Sequence, residues 1–476
     1  MAEASWTRGW ALTGARDLVA GLAARRELVA VGAVMLLAGV LRFWDLGDMA
    51  LHHDESLHAR YTWLLYDGQG YQHDPLMHGP FQFHAGALIY FLFGATDATS
   101  RFLPAIFGTI LVGMPYLLRK QIGMPAVLIA VVLLAFSPTL LYFSRFFRNE
   151  AYMLVWTLGM VICVWRYLDE GKERYLYGLA ALLALSFATK EVTFITAALF
   201  LVFLDLMFAV ELGRRREGEE VSAASVLLRT LVLVPVAWLI AAGWPLIGRT
   251  PFGFERLPRS GEALLIVGTL ALPQYAAGIQ VLPFVGDRGY QVAAEDTLKQ
   301  VTVVSLMLLS LYAGLLWKPR VWLIAAAAFY VPYVLLYTTF FTNPDGFFSG
   351  TWNSLDYWLE QHHVQRGDQP PYYYALLTPL YEFLPLLLAL GGAAWLVMRG
   401  DSLRRWLVFW MLGMFVALTI AGEKMPWLEA HIALPLVLGG AVSLAGVYRA
   451  LDFQVRHWPQ LVSLAAASAA ATLLVV

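Results

Sequence analysis

The chain has 476 residues, 59% of them hydrophobic and 14% charged, with a mean hydropathy of +0.62 and a formal net charge of −1. Such values lie outside the range of soluble domains and describe a polytopic membrane protein, in which the placement of charge matters more than its sum. Nothing in the chain supports nucleic-acid binding, and the single cysteine, Cys163, excludes disulfides within the chain and thiolate metal clusters.

Residues 1–26 are polar and weakly basic and end in Arg25 and Arg26. No small-residue cleavage site follows the apolar run 28–45, which is therefore read as a retained span. Lys and Arg in short loops favour the cytoplasm, so the N-terminus is expected inside and the stretch LHHDESLHARY, 51–61, outside. Basic loops at Arg119/Lys120, Arg166/Lys172/Arg174, Arg214/Arg215/Arg216, Lys318/Arg320, Arg399/Arg404/Arg405 and Arg449/Arg456 are all expected inside. Counting PFQFHAGALIYFLFG, from Pro80, as a span would carry Arg119 and Lys120 outside. The run is short and holds Gln82 and His84, so it is expected to lie along the outer interface or dip into it. EALLIVGTLALPQYAAGIQVLPFVG, 262–286, is interrupted by Pro273 and Pro283 and is assigned to an outer loop by the same logic.

The other apolar runs lie near 101–118, 123–142, 150–167, 174–189, 192–212, 226–247, 300–316, 320–340, 373–397, 403–421, 428–448 and 459–476. A run of about 20 residues crosses the hydrocarbon core, so with the first there are thirteen expected spans. The expected architecture is an all-α polytopic membrane protein, a single transmembrane domain over 1–476 with outer loops 46–100, 248–299 and 341–372 and interfacial helices in the first. The last run ends on the final residue without a polar tail, and truncation of a longer chain is the expectation. Neither a short-period repeat nor the inverted hydropathy symmetry of many secondary transporters is visible.

Nine of the ten histidines fall on the outer side, His457 being the exception, so protonatable groups gather where chemistry faces outward. Asp54 and Glu55 stand just beyond the first span, where a carboxylate can serve as general base or divalent-ion ligand; the plainer reading makes Asp54 the cap of an amphipathic helix. His53, Asp54, Glu55 and His58 lack the His-Glu spacing of a zinc hydrolase. His73 and His78, in HDPLMHGP, can donate to a phosphate or a sugar hydroxyl. SRFFRNEAY packs Arg145, Arg148 and Glu150 between two spans, and basic residues there run against the topological bias and call for an anionic partner. Lys190 and Glu191 in FATKEVTF, and Lys424 with His431 in GEKMPWLEAHIALP, are ionisable groups at the outer ends of apolar helices, where such residues mark a pathway or a ligand.

Taken together, the Asp-Glu pair, HDPLMHGP, SRFFRNE, FATKE and GEKMPWLEAHIALP resemble the GT-C superfamily of polyprenyl-phosphate-dependent glycosyltransferases. Within it they are similar to the protein O-mannosyltransferase and aminoarabinose-transferase branch, and most of all to prokaryotic flippase-activity-associated, mannosyltransferase-like proteins. The resemblance covers essentially the whole chain. It implies a GT-C-like bundle in the cell membrane, a polyprenyl-phosphate sugar donor entering from the lipid, and a protein, lipid or glycan acceptor arriving from outside. By motif, Asp54 matches the family's catalytic acid position, Glu55 its neighbour, and Glu150 a second acidic residue that follows an arginine. Where the family often has Pro-Pro or Lys-Pro, this chain has His78.

The chemistry agrees. Attack by a hydroxyl on an anomeric carbon needs a base, here Asp54, with Glu55 beside it, and cations for the departing phosphate. The candidates for donor binding are His53, His58, His73, His78, Arg145, Arg148, Glu150, Lys190, Lys424 and His431, with Mg or Mn on Asp54 and Glu150 as the candidate cofactor. A single displacement would invert the sugar. The alternatives are a lipid-linked sugar flippase, a proton-coupled transporter or a non-catalytic assisting subunit. A transporter should carry its ionisable groups at mid-membrane on broken helices.

Overall fold

A computed structural model describes residues 25–215, 257–281, 292–364 and 369–450, and among these there is no strand. Helix is what lipid demands, because every backbone polar group must find its partner within the segment. In chain order the principal helices are α1 (25–43), α2 (His53–Tyr66), α3 (Phe81–Phe93), α4 (Asp97–Ile122), α5 (Met124–Phe136), α6 (Glu150–Glu170), α7 (Arg174–Phe187) and α8 (Val192–Glu211). They continue as α9 (Arg259–Gln280), α10 (Thr297–Trp317), α11 (Pro319–Tyr337), α12 (Ser354–Val364), α13 (Tyr373–Tyr381), α14 (Phe383–Arg399), α15 (Ser402–Ile420) and α16 (Pro426–Ala450).

Eight helices among the described residues are long and apolar enough to cross a membrane, or nine if the bent pair α13 and α14 makes one span. The expected thirteen differ for physical reasons. The first, 28–45, forms α1, which is not among the eight, because Arg25, Arg26, Glu27 and Arg42 leave no 18-residue stretch of it with fewer than three charges. The runs 226–247 and 459–476 lie outside the described residues. Helices α5 and α7 have 13 and 14 residues, which at 1.5 Å per residue gives about 20 Å, short of a hydrocarbon core of about 30 Å. The run 373–397 breaks at Glu382, where α13 and α14 meet at 105°, with Pro379 and Pro385 on either side.

The outer loop expected at 248–299 is corrected in its middle. Arg259–Gln280 is one of the candidate spans, because at Pro273 the α-helix passes into a 3₁₀ continuation instead of ending. Its two ends sit at opposite ends of the bundle. Near its start, Arg259 donates to the Leu168 carbonyl at 2.7 Å and Glu262 pairs with Lys318 at 2.5 Å, both in basic loops, while Gln280 donates to Asp356 at 2.8 Å, within 341–372. As expected, α3 is too short to span. It packs on α2.

The core lies along α6 and α16, each 83% buried across its apolar window. Helix α16 packs against α14, α5 and α15, and α7 packs between α6 and α11. Large apolar side chains such as Phe91, Phe93, Leu387 and Ile420 stay exposed around the outside, on the surface a bilayer would cover. The basic loops form one end of the bundle, where Arg166 and Arg449 donate to the carbonyls of Leu117 and Ile122 at 2.8 and 2.9 Å. The other end gathers α2, α3 and the loops 144–149, 188–191, 338–353 and 421–425.

Candidate active site

The site begins with the cap of α2. His52, not Asp54, is the N-cap: its Nδ1 accepts the Asp54 N–H at 3.2 Å while Glu55 Oε2 accepts the His52 N–H at 3.0 Å, a reciprocal box that fixes the first turn. Glu55, 1% exposed, also takes Arg101 Nε and Nη2 at 2.8 and 2.7 Å and the Phe147 N–H at 2.8 Å. Its oxygens are committed to holding α2 against α4 and the 144–149 loop. The expectation that Glu55 takes part in catalysis is corrected to a fastening role, which leaves Asp54, one residue further round the turn, free to face outward.

Asp54 Oδ2 receives Arg148 Nη1 at 2.5 Å. The same guanidinium approaches Glu150 Oε2 at 3.7 Å through Nε and His78 Nε2 at 3.4 Å through Nη2, and its Cζ sits over the Trp427 ring, 3.7 Å from the centroid. Arg148 is thus the hub of the site, stacked on one face and paired along its edge. Lys190 forms a buried ion pair with Glu150 and stands 5.9 Å from the Trp427 ring. Burial pushes the Lys190 ammonium below its usual range, Glu150 opposing that and Arg148 adding to it.

His78 Nδ1 is 2.6 Å from Glu191 Oε2. Burial alone would raise the Glu191 carboxyl, but its contact with His78 outweighs burial and holds the group below the usual range. Between these residues opens a cleft with about 440 Å³ of empty space, lined by Asp54, Leu57, His58, Leu76, Met77, His78, Arg148, Glu423 and Trp427.

Of the remaining candidates, His58 also lines the cleft and the others take other places. His58 is buried beside His78, their rings stacked at 6.3 Å, and burial, with Arg148 nearby, drives its pKa well down. His73 hydrogen-bonds Ser349 at 2.7 Å away from the cleft, and burial brings its pKa to about 4. His53 is exposed on the first turn of α2 and does not line the cleft. Arg145 donates to the carbonyls of Leu41 and Trp44 at 2.9 and 2.7 Å, so it caps α1 instead of binding a ligand. Lys424 donates to the carbonyl of Ala421 in its own loop at 2.8 Å, and His431 is buried behind Glu150. Sequence reasoning missed Glu191 as a partner of His78, and Arg101 as the partner of Glu55.

The metal expectation fares less well. Arg148 reaches both Asp54 and Glu150, in the place a shared cation would take. Among the described residues no group of three His, Cys, Asp or Glu side chains could hold a metal ion. The residues present do not fit a divalent ion.

Comparisons with known proteins bear out the GT-C resemblance. Residues 77–241 match the family model described as dolichyl-phosphate-mannose-protein mannosyltransferase. The fold is similar to that of the Archaeoglobus fulgidus oligosaccharyltransferase, solved in complex with Zn and sulfate, with a TM-score of 0.51 and 16% identity over 92% of this chain and 51% of that one. It is also similar to ArnT from Cupriavidus metallidurans bound to undecaprenyl phosphate, with a TM-score of 0.50 and 16% identity over 93% of this chain and 63% of that one. The chain therefore spans between half and two thirds of the length of these two proteins. A comparison with curated proteins finds no match.

Proposed function

We propose that this polytopic membrane protein, with its GT-C fold, is a glycosyltransferase that moves a sugar from a polyprenyl-phosphate donor to a protein, lipid or glycan acceptor at the extracytoplasmic face of the cell membrane. The observation that carries the reading is the Asp54–Arg148 pair at a cleft stacked on Trp427. Glycosyl transfer needs a base and a cation within reach of one another, and here they hold each other in the resting state. The undecaprenyl phosphate bound to ArnT and the mannosyltransferase family match support the donor class.

In this mechanism the donor phosphate competes with Asp54 for Arg148, and Lys190 adds a second positive charge. Asp54, released, takes the proton of the acceptor hydroxyl. The hydroxyl oxygen attacks the anomeric carbon from the face opposite the phosphate, the C–O bond to phosphate breaks with its electron pair on the leaving oxygen, and the configuration inverts. Glu150 holds Arg148 and Lys190 in position, and no step calls on a metal. Purified protein incubated with a panel of polyprenyl-phosphate sugars should give a glycosyl product by mass spectrometry, and Arg148→Gln should weaken binding of the lipid phosphate roughly tenfold or more, since a charge-assisted contact is worth about 1.5–3 kcal/mol. No product from any donor would overturn the reading.

A second reading, a proton-coupled carrier, draws on one feature: Glu382 lies buried at the break between α13 and α14. Its carboxylate is held by Ser137 Oγ and the Thr139 N–H at 2.5 and 3.2 Å. A carrier would show Glu382-dependent uptake and no product in detergent.

A further inference from the structure

One wall of the cleft is an imidazole with a carboxylate at its back. His78 commits Nδ1 to Glu191 at 2.6 Å and turns Nε2 toward Arg148 at 3.4 Å. The placement is costly. His78 has φ +68°, the left-handed region that side-chain-bearing residues rarely adopt. Two backbone bonds over-determine it, from the N–H groups of Gly79 and Phe81 to the carbonyls of Thr189 and Ala188 at 3.1 and 2.8 Å. They lock the turn onto the loop that carries Glu191.

A guanidinium can only donate, so in its contact with Arg148 the Nε2 of His78 is the accepting atom, while Nδ1 is the one that meets Glu191. A phosphate seated on Arg148 reverses that arrangement, because an anionic oxygen can be met only by Nε2–H. The demand also grows during the reaction. The donor phosphodiester carries one negative charge, whereas the monoester left after transfer has a second pKa of about 6 and carries close to two.

Resting on the transferase reading, we propose that His78, oriented by Glu191, takes up a proton at Nε2 when the polyprenyl monophosphate occupies the cleft, and so supplies the charge that answers the leaving group's second negative charge. The acceptor's proton goes to Asp54, and the Nε2 proton comes from water. His78 faces Glu191 and neighbouring Lys190 from the 188–191 loop, Arg148 from the loop before α6, His58 from α2 and His73 from its own loop, with Asp54 and Glu423 lining the same cleft. Burial keeps His58 and His73 uncharged at neutral pH.

The test is isothermal titration of the full chain in detergent with farnesyl phosphate, a monoester, and farnesyl methyl phosphate, a diester. It is run at about pH 7.5, where the monoester is already a dianion, in two buffers of different ionisation enthalpy so that protons are counted. The monoester should draw up close to one proton and the diester close to none. His78→Gln should abolish the uptake and weaken the monoester about tenfold with little effect on the diester, and Glu191→Gln should act in the same direction, a change a merely structural contact would not produce. Monoester binding without uptake in the wild type, or uptake retained in His78→Gln, would overturn the proposal while leaving the transferase reading standing. The wild-type count decides the matter even if a variant fails to fold. Failure of the wild type to bind either compound would overturn both.

Discussion

Asp54 and Glu55 are adjacent in sequence with unlike surroundings, and replacing each should separate folding from catalysis. Glu55 accepts four hydrogen bonds, two of them from the buried guanidinium of Arg101. Removing one partner of a buried ion pair strands the other charge at about 3–5 kcal/mol. Arg101 would keep the carbonyls of Leu46, Met49 and Ala50, which puts Glu55→Ala near the lower end, about 3 kcal/mol. Asp54, with its side chain 21% exposed, loses only its contact to Arg148, which retains Glu150, His78 and Trp427. Asp54→Asn should therefore cost no more than about 1 kcal/mol while slowing transfer by about 10²–10⁴. Thermal unfolding in detergent, paired with product formation by the folded fraction, reads both effects. Adding Arg101→Met to Glu55→Ala should recover part of the stability, because the stranded charge is removed. The reasoning is refuted if Glu55→Ala melts with the wild type, or if Asp54→Asn is the variant that unfolds.

Three further outcomes are expected. In a Cys163→Ser background, Ser56→Cys should react with a membrane-impermeant thiol reagent in intact cells and Lys172→Cys should not; the reverse pattern would place the site in the cytoplasm. The folded protein holds His73 neutral down to about pH 4 while the unfolded chain protonates it near 6.5, so stability present above 6.5 should be lost as pH falls toward 4; at 1.36 kcal/mol per unit this is up to about 3 kcal/mol, and His73→Asn should flatten that part of a melting-temperature profile. A methyl group at Gly79 would sit 2.3 Å from the Ala188 carbonyl carbon and 2.4 Å from its oxygen, so Gly79→Ala should force the 78–81 and 188–191 loops apart and abolish transfer in a protein that still assembles, as judged by gel filtration.

Much of the site was legible because an ionisable group in so apolar a chain stands out against its surroundings. Asp54, His78, Arg148, Glu150 and Lys190 all announce themselves that way. What the pattern could not supply was phase. Arg145 and Arg148 are three residues apart, yet one caps α1 and the other centres the cleft, and which of Asp54 and Glu55 faces outward depends on His52 being the cap. GEKMPWLEAHIALP holds Trp427, but that its ring would lie against Arg148 could not be read from the sequence. In the fold, the bundle and an α3 too short to span followed from apolar length and loop charge, whereas α9 was masked by a proline that the helix absorbs as 3₁₀ and the break at Glu382 by a run of uninterrupted apolar character.

The turn between α7 and α8 presents two consecutive side chains to two different customers: Lys190 reaches Glu150 and Glu191 reaches His78. Their opposite charges are sorted by backbone direction alone. A single residue inserted before Lys190 would carry its ammonium into the place that faces His78, and one deleted there would carry the Glu191 carboxylate into the place that faces Glu150, so that either change loses both attractions and sets one charge against an unsuited partner. In this stretch the number of residues is a stricter requirement than the identity of any one of them, and a variant altered in length should fare worse than one in which both charges are simply removed.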